Sequence, residues 1–155
     1  MCAALFFQTA METFIPQTFQ KKERLCSQRA IETLFGSGSR SLSAFPLRAV
    51  YRRADAEVPV AVLVSVAKRR LHHAVDRNRA KRQVREAYRL NKQILWKALA
   101  EKAAAETAGS PEQTGGQPLP SSLHVAFVWL AEKPCPTALV EKQMRTLLHC
   151  IAERI

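Results

Sequence analysis

Residues 77–89 read Arg-Asn-Arg-Ala-Lys-Arg-Gln-Val-Arg-Glu-Ala-Tyr-Arg, and their spacing leaves few options for the fold. The apolar members Ala80, Val84, Ala87 and Tyr88 fall at i, i+4, i+7 and i+8, one stripe of an α-helix. At about 100° per residue the stripe covers an arc of roughly 100°, so a helix here needs a core on one side only. Lys81, Arg85, Asn78, Arg89, Arg82 and Arg79 spread over the opposite side. Arg77 falls inside the apolar arc and is expected in the first turn, where its side chain can leave past the end of the packing surface. Asp76, just before it, can cap exposed N–H groups.

The charge is regional. The 155 residues carry a formal net charge of +11, and residues 40–97 hold fifteen Lys or Arg against four acids while the remainder balances, nine against nine. A concentrated cationic field makes nucleic acid the first partner to consider. A second cluster, Lys68-Arg69-Arg70, lies close by in sequence. Arginine predominates in the helix, and its planar fork pairs with phosphate through two parallel bonds and stacks on bases. Asn78 adds no charge; its amide can read a ribose or base edge, or can make a local turn contact, and both readings stand. Phe35 and Tyr51 are the aromatics nearest the basic zone, suited either to stacking on a splayed base or to the core.

The length predicts one domain. Residues 1–20 are expected to form a disordered arm. Residues 23–35 predict a helix with Leu25, Ile31, Leu34 and Phe35 as buried candidates, ended by Gly36-Ser37-Gly38-Ser39. Residues 46–53 read as a strand with Leu47, Ala49 and Tyr51 on one face and Arg48, Val50 and Arg52 on the other. In residues 58–67, Val58, Val60, Val62, Val64 and Val66 share one face and Ala61 and Leu63 the other, which predicts a central, buried strand. The basic helix runs over 74–91, with an extension through Ile94-Leu95-Trp96 to Ala105 left open. Residues 107–122, with three glycines and three prolines, predict a flexible loop. Residues 123–131 form a further strand, and 136–155 an amphipathic helix with Val140, Met144, Leu147, Leu148 and Ile151 on its stripe. Together these make a small layered structure of helices on a sheet.

Several classes are excluded. Cys2, Cys26, Cys135 and Cys150 have no metal-ligand spacing and no short disulfide framework, so free thiols in a reducing cytoplasm are expected. No run approaches a membrane span, and residues 1–7 lack the cationic start of a signal peptide; Met11 is a candidate true start. His72 and His73 are adjacent and cannot face each other on a helix or strand, and His124 is distant in sequence. There is no phosphate-binding glycine loop, zinc motif or carboxylate cluster for metal ions, so no catalytic or metal-ligating side chain is assigned.

The stretch Ala74-Val75-Asp76-Arg77-Asn78-Arg79-Ala80-Lys81-Arg82-Gln83-Val84-Arg85-Glu86-Ala87-Tyr88 resembles the protein component of bacterial ribonuclease P, whose basic helix follows Ala-Val-x-Arg-Asn-Arg-x-Lys-Arg-x-x-Arg-Glu-x-aromatic. Glu23-Arg24-Leu25 before a helix ending Leu34-Phe35, and a 65–70 segment similar to Ser-Val-x-Lys-Lys, agree with it. His72-His73 stand where the family has Gly-Asn, Ile31 stands at a first-helix position where the family has an aromatic, and 107–122 is an insertion.

The resemblance implies an α+β domain over 21–155, with a mixed four-stranded sheet in the order α-β-β-(β)-α-β-α and a left-handed crossover through the basic helix. It implies that an RNA subunit with bound Mg²⁺ removes the 5′ leader of precursor tRNA, while the protein, a monomer bound 1:1 to that RNA, works in the cytoplasm. Arg77, Asn78, Arg79, Lys81, Arg82, Arg85 and Arg89 would contact the catalytic RNA. Phe35, Tyr51, Lys68, Arg69 and Arg70 would line the leader path between first helix and sheet. The alternatives are a general RNA-binding or ribosome-associated protein, and a DNA reader with a major-groove helix; the missing heptad zipper argues against a basic-zipper form of the latter.

Overall fold

The structure, a computed structural model, describes residues 16–108 and 121–155. A 3-10 turn at Lys21–Glu23 precedes helix α1 (Gln28–Phe35), and strands β1 (Arg40–Ala44), β2 (Leu47–Asp55) and β3 (Val60–Ser65) follow. Helix α2 (Ala74–Ala108), strand β4 (Ser121–Trp129) and helix α3 (Thr137–Arg154) complete the described chain. The four strands form one sheet in the order β1-β2-β4-β3. β1 with β2 and β2 with β4 are antiparallel, while β3 and β4 are parallel and joined through α2.

Alternation along the strands sorts the molecule into two cores. Leu47, Ala49 and Tyr51 of β2, Leu123, Val125, Phe127 and Trp129 of β4, and Val60 and Val62 of β3 face α2 and α3. Those helices answer with Ala80, Val84, Ala87, Tyr88, Leu95 and Leu99, and with Val140, Met144, Leu147, Leu148 and Ile151. Burial of each large apolar side chain contributes about 1.5–3 kcal/mol, which is why the stripes fix both helices to this face. The other face carries Ala61 and Ala126, with Val50 and Leu63 packed against them, under Leu34, Ala30 and Ile31 of α1.

Several sequence expectations need correction. β1 escapes prediction, because Arg40-Ser41-Leu42-Ser43-Ala44 has no strongly apolar face; only the family resemblance implies a fourth strand. β3 is not central. It lies at the sheet edge, and its apolar character on both faces reflects cover by α1 on one side and α2 on the other. Its open edge is closed by residues 24 and 25 instead: Arg24 bridges Val62, and the Leu25 N–H donates to the Val62 carbonyl at 3.0 Å. That pairing holds residues 24–27 out of the helix, so α1 begins at Gln28 rather than at Glu23. Phe35, expected to be buried, is 50 % exposed.

The basic helix takes the longer of its two readings and runs to Ala108, so residues 107 and 108, assigned to the loop, are helical, and Ser121 and Ser122 already belong to β4. Residues 109–120, the remainder of that expected loop, lie outside the described residues, as do Cys2, Met11 and the arm as far as residue 15. Within the described chain the arm is docked. Phe19 meets Tyr88 edge to face at 5.7 Å, and the Gln17 and Thr18 carbonyls accept hydrogen bonds from Arg89 and Lys92.

Candidate nucleic-acid interface

Polar pins fix the rotation of α2 about its axis. Gln83, almost fully buried, donates from Nε2 to the Cys135 carbonyl (3.1 Å) and to Thr137 Oγ1 (2.9 Å), tying α2 to the start of α3. Asn91 donates to the Ala87 carbonyl at 2.8 Å and accepts from Arg145 Nε at 3.2 Å. With Ala80, Val84, Ala87 and Tyr88 all buried against the sheet, the opposite face of the helix is turned away from it. Burial pushes the Tyr88 phenol well above its ordinary range, so it stays neutral within the core.

Asn78, Arg79, Arg82 and Arg85 are exposed. Their side chains make no hydrogen bond or ion pair with the described residues. Asn78, Arg82 and Arg85 fall at i, i+4 and i+7, a line along the helix with about 5.4 Å per turn. Lys81 is half-buried beside this line.

The two end members are engaged by the protein. Arg77 donates from Nη1 to the Leu71 (2.9 Å) and His72 (2.7 Å) carbonyls. Its predicted escape past the packing surface thus becomes a clasp on the loop before α2. Arg89 forms a two-pronged pair with Glu86, 2.9 Å from Nε to Oε2 with a second bond from Nη2 to Oε1, and also donates to the Gln17 carbonyl. The Arg89 guanidinium holds the Glu86 carboxyl below its usual range. Asp76 lies inside the first turn of α2 rather than before it, where its charge still opposes the positive end of the helix.

The expected leader residues are dispersed. Lys68 and Arg69 are exposed, and Arg70 pairs with Glu132 at 3.2 Å. This cluster follows Ser65 at one end of β3. Phe35 ends α1 near the other end, where Arg52 Nη1 donates to the Thr33 (3.3 Å) and Ser37 (3.0 Å) carbonyls. Arg52 stands opposite His124, and His124 opposite Ala61. Ala61 and Ser65 are four residues apart on β3, about 13 Å at strand rise.

Tyr51 joins neither group. It is 3 % exposed and faces α2 and α3, so it lies on the opposite side of the sheet from α1. The β2 residues that do face α1's side are Arg48, Val50 and Arg52. Alternation places them together in the sequence; the aromatic character of Tyr51 drew the assignment to the wrong face. Arg48 is exposed there, paired in register with Ser43 and Val128, and Val128 with Ser65. That row spans the part of the sheet face between the basic cluster and α1. Arg48 also donates to Ser41 Oγ at 3.2 Å.

Among the described residues no three His, Cys, Asp or Glu side chains gather to hold a metal ion, and no helix is long and apolar enough to cross a membrane. Cys26, Cys135 and Cys150 are free thiols. His124 is half-buried, and desolvation lowers its pKa. His72 and His73 are both exposed.

A mixed sheet crossed by a basic helix, with a solvent-facing arginine line and an α1-flanked sheet face, defines a small α+β protein with an exposed cationic helix face. A family model described as Ribonuclease P matches residues 19–104, and this chain belongs to that family. It is 51 % identical over 92 residues to the ribonuclease P protein component of Porphyromonas gingivalis strain W83, and 33 % identical over 141 residues to that of Chlorobium phaeobacteroides, where the match covers 86 % of this chain and 88 % of the relative. The match covers 56 % of this chain and spans 66 % of the length of the Porphyromonas relative. The solved RNase P protein from Thermotoga maritima superposes with a TM-score of 0.57 over 82 % of this chain and 96 % of that one, at 17 % identity, a likeness of fold alone.

Proposed function

We propose that this protein is the protein subunit of ribonuclease P. It binds the catalytic RNA through α2 and holds the 5′ leader of precursor tRNA on the sheet face beside α1. The observation that carries this reading is the exposed, unengaged line of Asn78, Arg79, Arg82 and Arg85, set opposite a buried stripe that fixes its direction. Family membership supplies the partner's class.

The physics of the line suits a folded RNA. Arginines held on one rigid helix present their forks to phosphates without further ordering of the backbone, and contacts to phosphate release condensed counterions. Such contacts position an RNA without reading its sequence. Two RNAs, catalytic subunit and substrate, repel each other, and a cationic protein between them lowers that repulsion. Lys68, Arg69 and Arg48 extend the field from the ridge onto the sheet face. Exposed Phe35 offers a ring on which a leader base can stack.

In this reading Mg²⁺ is held by the RNA, hydrolysis belongs to the RNA, and protein side chains bind and orient. The protein acts in the cytoplasm as one copy per RNA, a setting consistent with its free thiols.

Reconstitution tests this. The full chain is added to a bacterial ribonuclease P RNA at low Mg²⁺ with a precursor tRNA. Cleavage at the mature 5′ end rises if the reading holds, and an unchanged rate rejects it.

A further inference from the structure

One acid stands on the basic ridge. Glu86 is the single Asp or Glu within residues 77–89. It lies beside Arg89, which falls at i+11 of the line that Asn78, Arg82 and Arg85 begin, one turn beyond Arg85. Arg82 and Arg85 make no hydrogen bond or ion pair with the described residues, whereas Arg89 is held from two sides. Its Nε and Nη2 donate to the two Glu86 carboxylate oxygens, and its Nη1 donates to the Gln17 carbonyl at 2.7 Å.

The Gln17 carbonyl is itself fixed in place. The Thr18 carbonyl, next along the chain, accepts from buried Lys92. Phe19 meets Tyr88 edge to face, and the Arg24 guanidinium lies over the Phe19 ring, 5.4 Å from its centre. Glu23 closes the segment onto Lys92. Residues 17–24 thus form a strap against α2, and Arg89 is gripped between that strap and Glu86.

Stability does not account for the acid. Arg89 and Glu86 are 33 % and 52 % exposed, and surface pairs on one helix contribute little. Glu86 also subtracts from the positive field of the ridge. Fixing a guanidinium has a separate effect. A long side chain loses rotamer freedom when it binds a partner, and one already held loses less. A guanidinium carries five N–H donors. The bonds to Glu86 and Gln17 leave one N–H on Nη1 and one on Nη2, each able to reach a phosphate oxygen.

We infer that Glu86 is a positioning residue: together with the Gln17 carbonyl it presets Arg89 as the rigid end of the RNA-gripping line, while Arg82 and Arg85 become ordered only on contact. The inference rests on the reading of α2 as the face that meets ribonuclease P RNA. It reverses the sign that charge alone would give. Removing an acid from a cationic ridge should tighten RNA binding if Glu86 merely opposes the field or holds Arg89 back, and should weaken it if Glu86 orients Arg89.

The test measures the affinity of the full chain for a bacterial ribonuclease P RNA at fixed salt. Glu86→Gln is expected to weaken binding about fivefold, the scale of ordering one long side chain, with a nearly unchanged melting temperature. Arg89→Gln should weaken it about twentyfold, the scale of hydrogen bonds to a charged group. In the Arg89→Gln background, Glu86→Gln should weaken binding no further, because the group it positions is gone. Native or tighter affinity for Glu86→Gln alone overturns the inference and leaves Arg89 as a sequestered charge. An equal loss in both backgrounds also overturns it, since Glu86 then acts without Arg89. Both outcomes leave the α2 reading intact. A native chain that does not bind the RNA overturns that reading and this inference with it.

Discussion

Lys92 Nζ lies 2.9 Å from Glu23 Oε1, and both side chains are almost wholly buried, at 0 % and 6 % exposure. The ammonium also donates to the Thr18 carbonyl and sits 4.8 Å from the centre of the Trp96 ring. This pair binds the chain before α1 to the middle of α2. An ion pair so deep contributes little net stability as a pair, because desolvation offsets attraction, but removing one partner strands the other. Lys92→Ala is therefore expected to lower unfolding free energy by about 3–5 kcal/mol. The double variant Lys92→Met with Glu23→Leu should recover most of that deficit. Urea denaturation of the three proteins checks it, and a double variant as unstable as the single one would show that the charges themselves are required.

Phe35 and Tyr51 should separate in function. Phe35 is half exposed at the end of α1, whereas Tyr51 is buried beneath α2 and α3. In reconstituted cleavage, Phe35→Ala is expected to reduce the rate for a long-leader precursor severalfold more than for a substrate with no leader, while leaving the melting temperature nearly unchanged. Tyr51→Ala should destabilise the fold by about 3 kcal/mol or more, as large core truncations do, and should affect both substrates alike. A leader-selective defect for Tyr51→Ala, at unchanged stability, would reverse this assignment.

Acid should loosen the fold partly through His124. Burial lowers its pKa in the folded protein below the ordinary value of 6.5. Between the two values the unfolded chain binds the proton and the folded chain does not, so stability is full above the unfolded pKa and falls as pH drops through that window. Denaturation midpoints measured at pH 7.5 and 5.5 should differ, and His124→Gln should shrink the difference. The exposed His72, His73 and His149 serve as comparison positions; if His149→Gln shrinks the difference as much, His124 is not the sensor.

Much of this structure is legible in periodicity. The stripes of α2 and α3 are readable residue by residue because each helix buries one face against a flat sheet. β2 and β4 are readable from alternating or continuous apolar character. β1 is not, since an edge strand with one half-buried leucine has little apolar pattern to show. Nor is the edge position of β3, because local sequence reports that both faces are covered without reporting what covers them. Arg82 and Arg85 are identifiable as solvent-facing from helical geometry alone. The diversion of Arg77 and Arg89 to backbone carbonyls depends on where residues 17, 71 and 72 pass, a tertiary fact.

The central claim is that the outward arginines of α2 grip RNA phosphates, and the salt dependence of affinity tests it most directly. The logarithm of the association constant for ribonuclease P RNA, plotted against the logarithm of monovalent salt, should fall steeply for the native protein. Arg82→Ala with Arg85→Ala should weaken binding and flatten the slope by roughly one unit for each phosphate the variant no longer neutralises. Parallel lines of equal affinity would contradict the account and leave those arginines as solvated surface.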